Sequence, residues 1–230
     1  ILSLLPKIAK IRCISTIHAL DYRQKKWNRF SRACLRLGLQ SALRFPDKTI
    51  CVSRTIQQNL GYPSKTVYIP NGVKEPDKWG NYEMGWLYDN GLSQNNYILF
   101  VGRLIEDKNC HLLCRAIKES GIGLKLAVAG ASSFTDDYVN KLKEMAGPET
   151  VFLGNVYGGR LSALYHNCSL FVLPSMVEGL PIVLLEAMKH GSPILASDIP
   201  ENLEILNGDP AGKALGLTFK KGDLNSLKSM

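Results

Sequence analysis

Short apolar runs alternate with amphipathic stretches of helical length along most of this 230-residue chain. This alternation predicts βαβ units, in which parallel strands are joined by helices that cover the sheet. The runs ILFVG and LFVLP are apolar almost throughout, as expected of strands covered on both faces. Strands are predicted at residues 11–17, 49–53, 66–69, 97–101, 125–129, 150–153, 170–173 and 193–196. Helices are predicted at residues 26–44, 54–60, 110–119, 136–145, 160–166, 181–190 and 201–205.

The pattern breaks near the middle of the chain. Residues 70–96 are rich in Gly, Pro and Asn and show no clean period, which is typical of a linker followed by a surface excursion. Three regions are therefore predicted: the C-terminal part of one α/β domain at 1–71, the linker and excursion at 72–95, and a second domain at 96–230. Because the chain opens on Ile1 rather than Met, it is expected to be a fragment of a longer polypeptide.

The positive charge is concentrated at the start of the chain. The formal net charge is +8, and the first 50 residues carry eleven Lys or Arg against two Asp. The predicted helix from Lys26 to Arg44 holds much of this excess, which favours an anionic membrane surface or another polyanion. The alternative interpretation is a solvated helix face. A nucleic-acid-binding protein is not favoured, because aromatic residues are not interleaved with the basic groups of the second domain.

A turn with a carboxylate before it and another after it follows the predicted strand at 170–173. Gly179 and Leu180 place backbone N–H groups at the start of the next helix, where phosphate binds readily. Glu178 precedes this helix. Glu186 lies inside it among apolar neighbours, so its carboxylate needs a partner. Two ligand hydroxyls would serve, since an ionised carboxylate accepts two hydrogen bonds. The alternative is that the Glu186 side chain extends toward solvent or pairs with a structural Lys or Arg.

Other strand ends carry groups that suit the same kind of ligand. Arg103 and Lys108 follow the strand at 97–101 and suit a diphosphate, Arg as a planar fork and Lys as a point charge. Residues 130–133 follow the next strand, and residues 154–156 follow a third, where exposed backbone suits a nucleobase edge. In an open α/β sheet these ends meet at one edge, where ligands bind.

Two further features of the sequence are candidate sites. His18 follows a predicted strand of the first domain, and so lies at the edge of the sheet where ligands of α/β domains bind. Cys110 and Cys114 lie one turn apart on a predicted helix with His111 between them, but no second pair follows at the spacing of a zinc site. No metal site is therefore predicted, and the six dispersed cysteines suit a reducing cytoplasm.

The chain resembles the retaining nucleotide-sugar glycosyltransferases of family 4, from about residue 11 to residue 205. The motifs that carry this resemblance are IHALDYRQKKW, ICVSRTI, YIPNGV, GRLIEDK, FLGNV, VLPSMVEG and EGLPIVLLE. The resemblance implies the GT-B fold, in which two Rossmann-like domains with parallel sheets face each other and hold the donor in the cleft.

The resemblance also implies a role for each candidate residue. His18 and Glu178 would be catalytic, with His18 approaching the sugar and its leaving phosphate and Glu178 binding hydroxyls of the transferred sugar. Arg103, Lys108, Gly179 and Leu180 would bind the donor diphosphate. Glu186 would bind the ribose hydroxyls. The backbone at Val156 would contact the base.

The implied activity is transfer of a sugar to an acceptor hydroxyl with retention of configuration, without a metal or other cofactor, the nucleotide sugar being a substrate. The acceptor class is a surface polysaccharide or a glycolipid, and the implied location is the cytoplasm, peripheral to the inner face of the cell membrane. The alternatives are a nucleotide-sugar epimerase and a non-catalytic nucleotide-sugar-binding relative. The resemblance also implies that the glycine-rich loop opening the first domain lies before residue 1, so the first domain is expected to be incomplete. This chain by itself is therefore expected to hold the donor site and to lack much of the acceptor site.

Overall fold

The computed structural model describes residues 3–24, 27–73, 81–132, 136–208 and 210–230. Within it the chain divides into two units. The first comprises Ile1–Gly72 together with the short segment Val177–Pro181, and the second comprises Val73–Met176 and Ile182–Met230.

The first unit contains a three-stranded parallel sheet. Its strands are β1 (Ile14–Ile17), β2 (Lys48–Cys51) and β3 (Thr66–Tyr68), in the order β1-β2-β3. Its helices are α1 (Leu4–Ile8), α2 (Arg29–Arg44) and α3 (Arg54–Leu60), with a 3₁₀ turn at Asp21–Arg23.

Side-chain caps fix where two of these helices begin. Asn28 accepts a hydrogen bond from the backbone N–H of Ser31 at 2.8 Å, and Ser53 accepts one from Ile56 at 3.1 Å. Each cap satisfies one of the backbone donors that a helix leaves unpaired at its start. The predicted helix at 26–44 therefore starts three residues late, after Asn28, and Lys26 lies outside the described residues.

The second unit contains a six-stranded parallel sheet. Its strands are β4 (Tyr97–Val101), β5 (Lys125–Ala129), β6 (Thr150–Gly154), β7 (Leu170–Leu173), β8 (Ile194–Ser197) and β9 (Leu217–Phe219). Their order is β6-β5-β4-β7-β8-β9, with all pairs parallel. This is the doubly wound order, which reverses direction between β4 and β7. The α/β class with parallel sheets is confirmed.

Helices connect these strands. They are α4 (Asn81–Asp89), α5 (Cys110–Ser120), α6 (Asp136–Met145), α7 (Gly158–Asn167), α8 (Ile182–Lys189), α9 (Pro200–Leu206) and α10 (Leu224–Lys228), with a 3₁₀ turn at Glu106–Lys108. The core includes Phe100, Leu113, Leu126 and Val172, each at most 1% exposed. Within the described ranges, no helix combines the length and the apolar character needed to cross a membrane.

Further predictions about local structure differ from what is observed. The strand predicted at 11–17 begins only at Ile14. The stretch 72–95 contains the helix α4, in which Leu87 is fully buried. The strand β9 and the helix α10 lie in the C-terminal region, where no elements were predicted. Helix α8 begins at Ile182, so Pro181 precedes the first helical residue instead of occupying it. These elements are short or weakly periodic. Whether they form, and where they begin, therefore depends on burial against the rest of the unit.

Candidate functional site

The point where strand order reverses lies between β4 and β7 in the second unit. Ligands of doubly wound sheets bind beyond the carboxyl ends of the strands at such a point. Gly102 and Arg103 follow β4 directly, and Pro174 and Ser175 follow β7. The two candidate stretches that follow β4 and β7 therefore leave the sheet next to each other.

Backbone hydrogen bonds tie together the loops that follow β4, β5 and β6. Leu104 N–H donates to the carbonyl of Ala131 at 3.2 Å, and Gly130 N–H donates to the carbonyl of Gly154 at 2.7 Å. A Cβ on Gly130 would lie 1.9 Å from the carbonyl oxygen of Gly102. Only glycine therefore fits at position 130, which also has φ +147°. The predicted convergence of these strand ends is confirmed; Ser133 lies outside the described residues.

Arg103 and Lys108 belong to the loop that follows β4. Arg103 is exposed, and Lys108 is the last residue of the 3₁₀ turn. The backbone N–H of Met176 donates to the carbonyl of Asp107 at 2.8 Å, which joins this turn to the loop after β7. Asn109 then takes a left-handed conformation and α5 begins. Two cations on one strand-end loop suit an anionic ligand such as a diphosphate.

Glu186 has a partner that the sequence analysis did not identify. The hydroxyl of Tyr165, on α7, donates to Oε2 of Glu186 at 3.0 Å. Tyr165 has no solvent exposure. Burial, followed by the charge of Glu186, raises the pKa of its phenol well above the ordinary value, so the phenol remains a hydrogen-bond donor. This tyrosine was not among the partners considered from sequence, which were a pair of ligand hydroxyls and a structural Lys or Arg.

A sequence signal for this pair does exist. Leu161, Leu164 and Tyr165 fall on one face of the predicted helix, which places Tyr165 toward the core. A buried tyrosine hydroxyl needs a hydrogen-bond partner, and so does a carboxylate among apolar neighbours. The sequence contains both requirements, but it does not reveal that one satisfies the other.

Val156 follows β6 and borders a cavity of about 530 Å³ within the second unit. Polar and aromatic side chains line much of it, among them Trp86, Asn90, Asn155, Tyr157 and Arg160. The guanidinium of Arg160 lies 5.5 Å from the centre of the Trp86 ring, a cation–π distance. Trp86 belongs to α4, and Asn90 follows that helix directly. Both lie in the stretch that was predicted to lack a helix, so the sequence analysis did not identify this side of the cavity.

The remaining candidate residues belong to the first unit. His18 directly follows β1 and is exposed. Gly179 lies against the His18 backbone, because a Cβ on Gly179 would be 1.7 Å from the His18 carbonyl oxygen. The carbonyl of Leu180 accepts a hydrogen bond from Asn71 Nδ2 at 3.3 Å. Glu178, half-buried, directly precedes Gly179 in the first unit, whereas Glu186 belongs to the second unit.

The cysteine and histidine residues of α5 serve packing. Cys110 and Cys114 are fully buried, and Nδ1 of His111 pairs with the hydroxyl of Tyr138 at 3.0 Å. No group of three or more His, Cys, Asp or Glu in the described part of the chain is arranged to hold a metal ion.

Two family models match the chain. Residues 89–222, more than half of it, match the family described as glycosyl transferases group 1. Residues 1–75 match glycosyltransferase family 4.

Curated relatives are glycosyltransferases of several kinds. An uncharacterized glycosyltransferase of Methanocaldococcus jannaschii is 37% identical over 119 residues, which is 50% of this chain and 30% of the relative. The sulfoquinovosyl transferase SQD2 of Arabidopsis thaliana is 31% identical over 147 residues, or 64% of this chain and 28% of the relative. The O-antigen chain mannosyltransferase B of Escherichia coli is 24% identical over 241 residues, or 95% and 60%. The chain spans less than two thirds of each.

Solved structures show the same fold. HepE of Anabaena, in complex with UDP and glucose, has a TM-score of 0.82 at 21% identity, over 99% of this chain and 63% of that chain. Sucrose-phosphate synthase of Thermosynechococcus elongatus has a TM-score of 0.73 at 21% identity, over 95% and 57%. The predicted GT-B fold is confirmed.

Proposed function

The chain belongs to the glycosyl transferases group 1 family, and from this we propose that it takes part in moving a sugar from a nucleotide-sugar donor to an acceptor hydroxyl. The observation that carries the proposal is the strand-end edge of the second unit, where hydrogen-bonded loops present Arg103 and Lys108 at the reversal of strand order. That edge is where doubly wound sheets bind phosphorylated ligands. HepE, which has the same fold, binds UDP and UDP-glucose.

The proposed diphosphate ligands are Arg103, Lys108 and the backbone N–H groups of Gly179 and Leu180. Arg103 is exposed on its loop, so its guanidinium is accessible to a ligand. Charge-assisted contacts from cations to phosphate oxygens are among the strongest hydrogen bonds in proteins. These four residues are expected to neutralise the charge that the leaving nucleoside diphosphate acquires.

Recognition of the nucleoside is assigned to two residues of the second unit. Glu186 is proposed to accept hydrogen bonds from the two ribose hydroxyls, which suits an ionised carboxylate. The backbone at Val156 is proposed to contact the base. The cavity beside Val156 supports this assignment, because its polar and aromatic lining suits a planar, polar heterocycle.

Glu178 and His18 are assigned to the transferred sugar. Glu178 is proposed to bind sugar hydroxyls, and His18 to approach the sugar and the leaving phosphate. The reaction is proposed to proceed with retention of configuration and without a metal. The acceptor hydroxyl attacks from the face that the diphosphate leaves, and stabilisation of the leaving group supplies the largest share of the rate enhancement.

A surface polysaccharide or a glycolipid is the proposed acceptor. Relatives that support this class include the capsular polysaccharide glycosyltransferase CapM of Staphylococcus aureus and a Campylobacter jejuni transferase whose named acceptor is a glycosylated undecaprenol diphosphate. We also propose that α2 contacts the anionic inner face of the cell membrane. On that helix Phe30 is 78% exposed and Leu37 58%, and Arg29 and Arg44 are exposed as well. Exposed apolar side chains beside cations suit a lipid interface.

A thermal-shift panel tests the donor assignment. This chain is heated with UDP, GDP, ADP or dTDP, with the matching nucleotide sugars and with inorganic pyrophosphate. A ligand at a hundred times its dissociation constant should stabilise the fold by about 2.7 kcal/mol. Glu186→Ala should reduce the shift from the nucleoside diphosphate and leave the shift from pyrophosphate unchanged. If no nucleotide stabilises a chain that circular dichroism shows to be folded, the proposal is wrong for this chain.

Product analysis then separates transfer from its alternatives. Transfer requires an acceptor and yields a glycosylated product together with nucleoside diphosphate. An epimerase would yield an altered sugar without any acceptor, and a non-catalytic relative would bind the nucleotide sugar unchanged.

A further inference from the structure

Tyr165 is a buried tyrosine whose hydroxyl donates a hydrogen bond to the proposed ribose ligand, Glu186. Its hydroxyl lies 3.0 Å from Oε2 of Glu186, and the side chain has no solvent exposure. The diphosphate, the sugar and the base are assigned to other residues, so the function proposed above leaves this hydroxyl without a role.

Two aromatic rings contact the ring of Tyr165. The ring of His190 is stacked on it, with centroids 5.6 Å apart and planes 6° from parallel. The ring of Phe171 packs at 5.6 Å with planes tilted by 56°. A ring held in this way fixes the position of its hydroxyl, because Tyr has only two side-chain torsions.

The hydroxyl in turn fixes the carboxylate. An ionised carboxylate only accepts hydrogen bonds, and it rotates broadly about its terminal torsion unless a donor holds it. The bond from Tyr165 engages Oε2. Among the described residues, Oε1 of Glu186 receives no hydrogen bond. One oxygen is thus anchored by the protein, and accepting capacity remains for ligand hydroxyls.

We propose that Tyr165 is a positioning residue, which orients the carboxylate of Glu186 so that it accepts the two ribose hydroxyls of the donor. The inference rests on the function proposed for Glu186. It predicts that loss of the Tyr165 hydroxyl weakens the binding of a ribonucleotide and has no effect on a ligand that lacks the ribose hydroxyls.

Tyr97 provides a matched control. It is also fully buried, and its hydroxyl donates to the backbone carbonyl of Leu164 at 2.8 Å. That carbonyl belongs to the last turn of α7. Tyr97→Phe removes the same atom from another fully buried tyrosine of the second unit, whose hydrogen bond does not involve Glu186.

The experiment is a set of calorimetric titrations of wild type, Tyr165→Phe, Tyr97→Phe, Glu186→Ala and the double variant Tyr165→Phe/Glu186→Ala. The probes are the tightest binder among UDP, GDP and ADP, its 2′,3′-dideoxy form, and pyrophosphate. Tyr165→Phe should weaken ribonucleotide binding by about fivefold, less than Glu186→Ala, because it misaligns the carboxylate without removing it. It should leave the other two probes unchanged. The double variant should bind like Glu186→Ala, since the hydroxyl acts only through that carboxylate.

Different results would overturn different statements. If Glu186→Ala weakens the ribonucleotide and its dideoxy form equally, the ribose role of Glu186 is wrong, and the role of Tyr165 fails with it. If Glu186→Ala discriminates between them and Tyr165→Phe does not, only the positioning role is wrong. If Tyr165→Phe and Tyr97→Phe weaken all probes alike, Tyr165 serves the stability of the core alone.

Discussion

The carbonyl oxygen of His18 occupies the place where a side chain at position 179 would begin. A Cβ on Gly179 would lie 1.7 Å from that oxygen and 2.8 Å from the carbonyl carbon. Backbone atoms on both sides make this contact, so no rotation of a side chain can relieve it. Within the first unit, the absence of a side chain at 179 is therefore required by the protein's own backbone next to His18.

Gly179→Ala should consequently destabilise the chain by at least about 1–3 kcal/mol, the usual cost of overpacking a filled site. Denaturant unfolding followed by circular dichroism measures the change. Gly38→Ala is the control. Gly38 lies inside α2 with open space around it, so alanine there should stabilise by roughly 0.5–1 kcal/mol. Equal stability of the Gly179→Ala variant and wild type would contradict the close approach.

Gly130→Ala should be as damaging in the second unit, because two effects combine there. The residue has φ +147°, and its Cβ would meet the Gly102 carbonyl oxygen. Gly121, also left-handed at φ +60°, has no atom within 4 Å of the same point. Gly121→Ala should cost about 1 kcal/mol for backbone strain alone, and Gly130→Ala clearly more. Urea midpoints of the two variants compare them directly, and similar midpoints would contradict the steric argument.

Arg103→Ala should weaken the binding of a nucleoside diphosphate by about 1.5–3 kcal/mol, the worth of a hydrogen bond to a charged group. Arg103→Lys should retain part of the affinity, since it keeps the charge and loses the planar fork. Lys143→Ala, at an exposed position on α6, is the control and should bind like wild type. Calorimetric titration provides the affinities. If Arg103→Ala binds the nucleoside diphosphate with the affinity of wild type, Arg103 is not part of the proposed site.

We expect the free energy of unfolding to decrease as the pH is lowered below about 6.5, partly because of His190. Burial, then the charges of Lys189 and His166, lower the pKa of this imidazole below its ordinary value. The unfolded chain therefore binds its proton at a higher pH than the folded chain. Above the pKa that His190 has in the unfolded chain, this residue does not lower the stability. As the pH falls from that value through the lower pKa of the folded chain, stability is lost.

His190→Gln tests this pH dependence. Unfolding midpoints of wild type and the variant are compared at pH 7.5 and pH 5.5, and wild type should lose more stability between the two. Parallel losses would show that His190 does not contribute to the acid sensitivity.

The proposed membrane contact of α2 predicts salt-dependent binding to anionic vesicles. Arg29→Glu/Arg44→Glu should abolish cosedimentation with vesicles rich in phosphatidylglycerol, because each basic residue near such a surface contributes about 1 kcal/mol. The control Lys141→Glu/Lys143→Glu changes the net charge equally on exposed positions of α6. Equal loss in both variants would show an effect of net charge rather than of α2.

Local pattern was sufficient for much of the fold. The strands β4, β5 and β7 and the helices α3 and α6 have the bounds that sequence predicted, because apolar runs and helical periods depend only on neighbouring residues. The clustering of Gly102, Gly130 and Gly154 also followed from sequence, since parallel strands end at a common edge. The residues along that edge could be named without knowing their contacts.

Long-range packing decided the rest. Helix α4 buries Leu87 completely, and the core that buries it cannot be identified from the neighbouring sequence. The bond between Tyr165 and Glu186 joins positions 21 residues apart, and the contact of Gly179 with His18 joins positions far more distant. The sequence by itself determined that Glu186 needs a partner and that Gly179 lies in a tight turn. Only the tertiary structure decided which atoms meet them, because such contacts depend on how whole elements pack.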